Sequence, residues 1–318
     1  MNDTTDAGRL DGRVALVSGG ARGVGLAISQ TLADQGARVV VADAGGAIDG
    51  SDPDPTVAQA VAAELGDGAL AFTDSIADAG AAQAAVALAN EAFGGLDILV
   101  NNAAILRDGF IFKTEPTDFD AVLKTNLAGA WYLTNAATPL MRQHAKDNRG
   151  GEPYKWGRVV NITSSAGFYG NFGQSSYASA KSGMLGLMRT TAMDLARAGI
   201  TCNAVAPFAA TRVTDTIVPA NDEQAAYKER ALSISPLHVA RVVAWLCAPE
   251  SQNITGQLFG VRGREVFLFS QPRPVATLAR DDADWDVTAL SEAAAETFAP
   301  LYTDLKTDLE VFNTDPKV

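Results

Sequence analysis

The chain has 318 residues, of which 47% are hydrophobic and 19% are charged, a composition typical of a protein with a large buried core. Its formal net charge of -12 opposes binding to nucleic acid, because phosphates attract basic surfaces. No apolar run reaches the roughly 18 residues of a membrane span, and the start MNDTTDAGRLDGR lacks the apolar stretch of a signal peptide, so we expect a cytoplasmic location.

Cysteine and histidine are scarce in this chain. Cys202 and Cys247 lie in apolar stretches, which predicts buried thiols that act as small hydrophobic groups. His144 and His238 are far apart and neither belongs to a partner motif. The sequence therefore predicts no metal site and no Ser-His-Asp triad.

Short β-rich runs alternate with longer helical runs along the chain. The predicted strands are RVALVSG, ARVVVAD, GALAF, LDILVNNAA, GRVVNITSS and GITCNAVAP, the last of which closes the series. The predicted helices are VGLAISQTLADQG, a run to Phe93, a run from about Phe119 to Leu140, and Ser175 to Ala198. Strands with apolar residues on both faces, alternating with helices, are typical of a parallel sheet that helices cover on both sides. We predict an α/β, doubly wound domain over residues 1–262 and a C-terminal extension over residues 263–318.

A glycine-rich stretch, SGGARGVG from Ser18 to Gly25, stands between the first predicted strand and the first predicted helix. Gly19, Gly23 and Gly25 permit a tight turn there. They also let backbone N–H groups and the helix N-terminus approach a pyrophosphate. The flanking strand and helix favour a dinucleotide site over a plain turn.

Asp43 ends the second predicted strand, 18 residues beyond Gly25. A carboxylate at that point can bond both ribose hydroxyls of an adenosine and would repel a 2′-phosphate, which favours NAD over NADP. Arg22 in the glycine loop is a contrary feature, since a basic residue near the ribose could accept that phosphate. Asp43 could also simply cap the loop that follows it.

Tyr177 and Lys181 stand four positions apart in NFGQSSYASAKSG, which places the phenol and the ammonium on one face of a helix. Taken alone, such a pair is more typical of a surface. Ser164 lies 13 residues before Tyr177, at the end of the fifth predicted strand. Together these groups suit proton transfer to or from an alcohol, because a positive neighbour favours the phenolate of a tyrosine that normally titrates near 10.

The ordered set of motifs resembles the short-chain dehydrogenase/reductase family. It comprises the glycine loop, Asp74 after the third strand, NNAA (Asn101 to Ala104), Asn126 in KTNLAG, Ser164 in NITSS, and Tyr177-x-x-x-Lys181. The match runs from about Leu10 to Gly260. The resemblance implies a Rossmann fold and hydride transfer between a secondary alcohol or ketone and NAD, without a metal.

The resemblance also implies a role for each site residue. Tyr177 is the base in oxidation and the acid in reduction, and Lys181 makes it more acidic and bonds the nicotinamide ribose. Ser164 holds the substrate oxygen, with Ser165 and Thr163 as rivals, and Asn126 binds a water that connects Lys181 to solvent. The expected cofactor contacts are Gly19, Arg22, Gly23, Val24, Gly25, Asp43, Asp74, Ser75, Asn102, Ala103, Tyr177, Lys181, Pro207 and Thr211.

Within the family, several stretches are similar to the (3R)-hydroxyacyl-CoA dehydrogenase and 17β-hydroxysteroid dehydrogenase group, which acts in lipid metabolism and steroid degradation. These stretches are NNAAILRDGFIF, GFYGNFGQSSYASAK, CNAVAPFAATRVT and VVAWLCAPES. The likeness implies oxidation of a 3-hydroxyacyl-CoA with a fatty or steroid acyl group. The alternatives are a hydroxysteroid or other free secondary alcohol as substrate, and a dinucleotide-binding sensor without turnover.

Three positions depart from the family pattern. Ser18 replaces a threonine, Ala104 replaces the glycine of NNAG, and Phe208 follows Pro207 where glycine is common. Ala104 and Phe208 are expected to narrow the space near the nicotinamide and the substrate.

Two further segments carry expectations about binding. The polar stretch from Ala209 to Pro236 is predicted to be a lid over the substrate. Beyond Gly260 the resemblance fades, and the extension, with a helical run near Leu290 to Phe298, is expected to cover the cleft or a subunit interface. In the family, the helix Ser175 to Ala198 meets its counterpart in a dimer, so we expect a homodimer or homotetramer.

Overall fold

The computed structural model describes residues 9–210, 222–281 and 283–318. An eight-stranded sheet with the order β3-β2-β1-β4-β5-β6-β7-β8 forms its centre. The strands are β1 (Val14–Ser18), β2 (Arg38–Ala42), β3 (Ala69–Phe72), β4 (Ile98–Asn101), β5 (Arg158–Ile162), β6 (Thr201–Phe208), β7 (Leu258–Arg262) and β8 (Glu265–Phe269). All neighbours pair in parallel except β7 and β8, which are antiparallel.

Helices follow most strands and cover both faces of the sheet. They are α1 (Gly23–Asp34), α2 (Thr56–Leu65), α3 (Ala79–Phe93), α4 (Pro116–Leu123), α5 (Gly129–Lys146), α6 (Ala166–Tyr169), α7 (Ser175–Leu195), α8 (Asp222–Leu232), α9 (Leu237–Cys247), α10 (Val287–Thr297) and α11 (Asp308–Val311). A π-helical turn, Lys124–Ala128, joins α4 to α5. None of the helices in the described ranges is long and apolar enough to cross a membrane.

The core explains why the strands are apolar without alternation. Val17 and Val41 face one layer of helices, where they pack with Ile28 and Val243, whereas Leu16 faces the other layer. The central strands are buried on both sides, as parallel sheets of α/β proteins require, whereas Val266 and Leu268 of the edge strand β8 are exposed. The predicted doubly wound sheet is confirmed.

The prediction that the sixth strand closes the series is wrong, because β7 and β8 extend the sheet beyond β6. In β7, Gly260 interrupts the apolar run, and a Cβ there would lie 2.6 Å from the Phe269 ring. Strand β8 and helices α10 and α11 come from residues that the sequence assigned to the C-terminal extension. The division at residue 262 stays a prediction, although the sheet continues across it.

Candidate active site

A cleft of about 870 Å³ opens at the carboxyl edge of the sheet. This is the edge where ligands of open α/β sheets bind. The glycine loop, the ends of β2, β4, β5 and β6, and helix α8 line it, and residues from the C-terminal extension complete the wall. The cleft contains every predicted site residue that falls in the described part of the chain except Asn126.

The glycine loop has the backbone geometry that a pyrophosphate cradle needs. Gly19 has φ +61°, and a Cβ there would lie 2.8 Å from the Ala103 Cα. A Cβ at Gly25 would overlap the carbonyl oxygen of Gly19. A side chain at either position would therefore clash with the backbone of the loop or of the segment after β4, so only glycine permits this close turn.

Hydrogen bonds from β4 hold this loop in place. The Asn102 side chain donates to the carbonyl oxygens of Ser18 (3.1 Å) and Gly19 (2.9 Å). The Ser18 hydroxyl accepts from the backbone of Asn102 (3.0 Å) and Ala103 (3.2 Å). The Ser18 hydroxyl therefore accepts two backbone hydrogen bonds. The loop is anchored even though this chain has serine where the family has threonine.

Asp43 lies beside the glycine loop and is half-buried. Its carboxylate accepts hydrogen bonds from the backbone N–H groups of Ala21 (3.1 Å) and Gly45 (2.8 Å). Arg22 donates to the carbonyl oxygen of Gly46 at 2.8 Å, which ties its guanidinium to the loop after β2. These hydrogen bonds fix the Asp43 carboxylate at the wall of the cleft. Asp43 therefore caps the loop after β2 and also faces the cleft.

The remaining predicted cofactor contacts also line the cleft. Asp74 and Ser75 are exposed at its rim after β3, and Val24, Asn102, Ala103 and Pro207 lie along its walls. Thr211 lies outside the described residues, as does most of the predicted lid. The described part of that lid includes α8, whose Tyr227 and Arg230 line the cleft.

Tyr177 lies in the first turns of α7 with 7% of its surface exposed, and the Ser164 side chain interacts with its phenol in a way that favours the phenolate. Both residues line the cleft. The two rivals of Ser164 are bonded elsewhere: Thr163 donates to the Lys181 carbonyl oxygen at 2.7 Å, and Ser165 donates to Asp308. The geometry therefore favours Ser164 as the partner of the phenol.

Lys181 is almost fully buried one turn along α7. Its ammonium donates to the Ile162 carbonyl oxygen at 2.8 Å and lies 5.7 Å from the centre of the Tyr177 ring. Burial lowers the pKa of Lys181 from 10.5 to about 8, since the charged form loses hydration. The cation is therefore still present at neutral pH.

The expectation that the phenol is acidic is wrong for the protein without cofactor. Burial raises the pKa of Tyr177 to about 12, the Ser164 hydrogen bond opposes that rise, and the charges of Asp108 and Asp308 add to it. Desolvation of the phenolate outweighs the nearby ammonium here. Any acidic shift of Tyr177 must therefore come with the positive nicotinamide that the cleft would receive.

Asn126 lies in the π-helical turn and is buried. Its side-chain oxygen accepts from the Ile105 N–H (2.8 Å), and its amide donates to the Ile105 carbonyl oxygen (3.0 Å). The side chain thus fixes the loop after β4. A water that links Lys181 to solvent would have to bond the Asn126 backbone, whose carbonyl is displaced from regular α-helical bonding in such a turn.

Residues that the sequence did not single out close the far end of the cleft. Phe312 from the C-terminal extension packs on Phe208, with ring centres 4.6 Å apart. Arg262 of β7 and Asp308 of α11 line the same wall. Residue spacing gave no sign of them, because they meet the site only through the fold of the extension. Phe208 lines the cleft and packs against Phe312 there.

Sheet topology, a glycine cradle at the switch between β1 and β4, and a buried Ser-Tyr-Lys set together define an oxidoreductase that uses a nicotinamide dinucleotide. A family model described as short chain dehydrogenase matches residues 13–224. The chain belongs to this family.

Three known proteins show how close the likeness is. The hydroxyacyl-CoA dehydrogenase ChsB1 of Mycobacterium tuberculosis is 38% identical over 93% of this chain and 92% of its own length. The mouse peroxisomal multifunctional enzyme type 2 is 37% identical over 80% of this chain, which spans 32% of that enzyme. The crystal structure of 3-ketoacyl-(acyl-carrier-protein) reductase from Brucella melitensis, complexed with NADH, matches with TM-score 0.70 and 28% identity over 80% of this chain and 98% of its own. The predicted group is confirmed as the one that this chain resembles.

Proposed function

We propose that the protein oxidises a 3-hydroxyacyl-CoA with a fatty or steroid acyl group, using NAD. The observation that carries the proposal is the buried Tyr177, which lies with Ser164 at the wall of an open cleft and one helical turn from Lys181. The name of the Mycobacterium tuberculosis relative supports the substrate class. A sensor without turnover is opposed by the intact set of proton-transfer groups.

The chain's own residues would handle the substrate oxygen and its proton. The Ser164 hydroxyl holds the alcohol oxygen beside the phenol, and Tyr177 takes the proton as hydride leaves the carbon. The bound nicotinamide supplies the hydride acceptor and a positive charge that lowers the proton affinity of Tyr177. In reduction, Tyr177 returns the proton.

Lys181 and Asn126 would carry that proton away from the phenol. The Lys181 ammonium is held by the Ile162 carbonyl oxygen, which fixes its position beside the Tyr177 ring. Its lowered pKa keeps the lysine close to the range in which it can exchange a proton. The π-helical turn at Asn126 would supply the backbone oxygen for a connecting water.

NAD is proposed over NADP because of the Asp43 carboxylate. Its two oxygens are anchored by backbone N–H groups of both neighbouring loops, so the charge is held where a 2′-phosphate would arrive. Arg22 is turned to the Gly46 carbonyl oxygen, which weakens the case for phosphate binding by that side chain. The NADH in the Brucella melitensis structure is consistent with this choice.

A CoA thioester is proposed because cations line the cleft despite the acidic composition. Arg107 and Lys124 both belong to its wall, and Lys124 is exposed. Arg107 pairs with Asp118 at 2.9 Å and would retain further N–H donors for a phosphate. A free hydroxysteroid is the second candidate, supported by the Phe208 and Phe312 rings at the far end.

The direct test is a screen of NADH formation. Purified protein is mixed with NAD or NADP and (3R)-hydroxyacyl-CoAs of short, long and steroid-bearing acyl chains, with hydroxysteroids, and with simple secondary alcohols. We expect the highest kcat/KM with a CoA thioester and NAD. Ser164→Ala serves as the control for background reduction. Activity confined to hydroxysteroids would favour the second candidate, and no activity with any donor would reject the proposed function.

We also propose a homodimer or homotetramer and a cytoplasmic location. Exposed apolar side chains on the long helices support the assembly: Trp131 of α5 is 50% exposed and Met193 of α7 is 73% exposed. Light scattering of the purified protein would give its mass in solution. A monomer at micromolar concentration would contradict the assembly.

A further inference from the structure

The C-terminal segment, residues 307–314, is fastened to the sheet beside the proposed active site. The Arg262 guanidinium, 6% exposed, donates to the carbonyl oxygen of Phe312 (2.7 Å) and to the Thr314 hydroxyl (3.0 Å). Arg262 also pairs with Glu265 at 2.7 Å. The Phe312 ring packs on Phe208 as described above. The segment is therefore part of the cleft wall.

This segment carries a buried carboxylate into the cleft. Asp308 is 7% exposed, and its two oxygens accept hydrogen bonds from the Ser165 hydroxyl and from the Leu309 N–H (3.0 Å). Burial raises the pKa of Asp308, and the Ser165 hydrogen bond counteracts that rise. None of the proposed steps of hydride and proton transfer uses this group.

Two neighbouring serines connect the carboxylate to the phenol. Ser164 interacts with the Tyr177 phenol, and the next residue, Ser165, donates a hydrogen bond to Asp308. Consecutive Cα atoms are about 3.8 Å apart, so the two serines place the phenol and the carboxylate on the same part of the cleft wall. A charge held this close, in a wall shielded from water, acts on the phenol with little screening.

We propose that Asp308 is a positioning residue whose negative charge holds the Tyr177 phenol in its protonated form. This inference rests on the proposed function. Asp308 disfavours the phenolate by like-charge repulsion and so moves the rise of alcohol oxidation to more alkaline pH. Ser165 is the residue that keeps the carboxylate in place and ionised.

The other groups around the phenol divide into two sets. Ser164 from the end of β5 and Lys181 from α7 stabilise the phenolate. Asp108, in the loop after β4, opposes it, but its side chain is exposed and accepts a hydrogen bond from Gln174 at 2.8 Å. Of the two carboxylates, Asp108 contributes more to the raised pKa of the phenol, and Asp308 adds to it from the buried wall of the cleft. Burial raises the pKa of Tyr227 of α8, and the charge of Asp308 adds to that rise.

The sign of the effect follows from these charges. Removing the charge of Asp308 lowers the proton affinity of Tyr177, so ionisation of the phenol should begin at lower pH. Asp308→Asn keeps an acceptor for Ser165 and removes the charge. Ser165→Ala removes the hydrogen bond but keeps the charge, because a carboxyl group is ionised at the alkaline pH at which Tyr177 titrates. This variant should therefore shift the titration of the phenol much less than Asp308→Asn does.

The test uses the protein without cofactor, labelled with ¹³C at the tyrosine ζ carbon. The Tyr177 signal is assigned by its loss in Tyr177→Phe, and its chemical shift is followed as the pH is raised. We expect ionisation to begin about half a pH unit or more earlier in Asp308→Asn than in the wild type. Asp315→Asn is the matched control, because Asp315 is on the same stretch of chain with a side chain that is 94% exposed. It should leave the titration unchanged.

A second readout is the pH profile of kcat for the best substrate of the screen, which should move to lower pH by a similar amount. Unchanged titration in Asp308→Asn overturns the inference, as does an equal shift in Asp315→Asn. If Asp308→Asn does not fold, Asp308→Ser, which also removes the charge, decides. The NMR titration needs no turnover, so it can be read even if the proposed function fails.

Discussion

Charged side chains are buried at both ends of the strands, at the amino edge and at the carboxyl edge of the sheet. The groups that surround these charges differ between the two edges. At the amino edge, Asp97 is fully buried and accepts from the Val14 N–H at 2.9 Å. Arg149 (3.2 Å) and Arg13 (3.8 Å) pair with the same carboxylate. At the carboxyl edge, the Lys181 ammonium faces a carbonyl oxygen and a phenol ring instead of a carboxylate.

The difference separates stability from function. A buried charge with several partners stabilises the fold as long as all partners are present, and losing one of them is costly. A buried charge without a counter-ion is held by the rest of the fold at a cost in free energy, and its pKa moves toward the range useful for proton transfer. Removing a buried charge at the amino edge should therefore lower the free energy of unfolding. Removing one at the carboxyl edge should instead lower kcat.

Lys181→Met should give the largest effect at the carboxyl edge. We expect kcat to fall by about 1,000-fold, because the phenol loses the cation that favours its ionised form. The free energy of unfolding should stay equal or rise, since a buried ammonium is replaced by an apolar side chain of similar length. Urea unfolding and steady-state kinetics measure the two effects. Lys113→Met, at an exposed lysine, is the control.

Asp97→Ala should give the opposite pattern at the amino edge. Arg13 and Arg149 would keep their buried charges without a counter-ion, so we expect a loss of about 3 kcal/mol in the free energy of unfolding. The kcat and KM of the folded fraction should not change. Asp194→Asn, at an exposed carboxylate of α7, should leave both quantities unaffected. A stable Asp97→Ala with low turnover would break the contrast between the edges.

Asp43→Asn sharpens the assignment of the cofactor half of the cleft. Removal of the charge should raise the ratio of kcat/KM with NADP to that with NAD by about 10-fold or more, because the repulsion of the 2′-phosphate disappears. The amide oxygen can still accept one of the two backbone hydrogen bonds. Asp67→Asn, on the surface before β3, is the control. An unchanged ratio would mean that Asp43 serves only as a cap.

The smallest effect concerns pH. The pKa of Lys181 falls from 10.5 to about 8 on folding, so the folded protein releases this proton first. Lys181 lowers the free energy of unfolding by its full amount below pH 8. This destabilisation decreases as the pH rises toward 10.5, because the unfolded chain then binds more protons than the folded chain. The stability advantage of Lys181→Met over wild type should shrink by roughly 1–3 kcal/mol between pH 7.5 and 10. A constant difference would show that the lysine is not desolvated as the structure indicates.

The parts of the site that the sequence predicts are those set by strand ends and helix turns. The glycine loop, Asp43, Ser164 and the pair Tyr177 and Lys181 follow from the period of the strands and of one helix, because parallel strands bring their carboxyl ends to one edge. Local spacing defines these neighbours, so no tertiary information is needed.

The parts that the sequence misses depend on contacts between distant residues. Asp308 meets Ser165 across 143 positions, and Arg262 meets Phe312 across 50. The polar cluster at Asp97 likewise joins residues from β1, β4 and the end of α5, where His144 accepts from the Leu96 N–H. The sequence does not predict the proton affinity of Tyr177, because burial, which the sequence does not reveal, raises the pKa of the phenol despite the nearby lysine.

Tyr177→Phe tests the central claim most directly, because it removes one oxygen and leaves the ring packed. With the best donor from the screen, we predict that kcat falls by at least about 1,000-fold while the Kd for NADH, measured by fluorescence titration, changes by less than about fivefold. Turnover at the wild-type rate with unchanged cofactor affinity would show that another group accepts the proton, and would contradict the account.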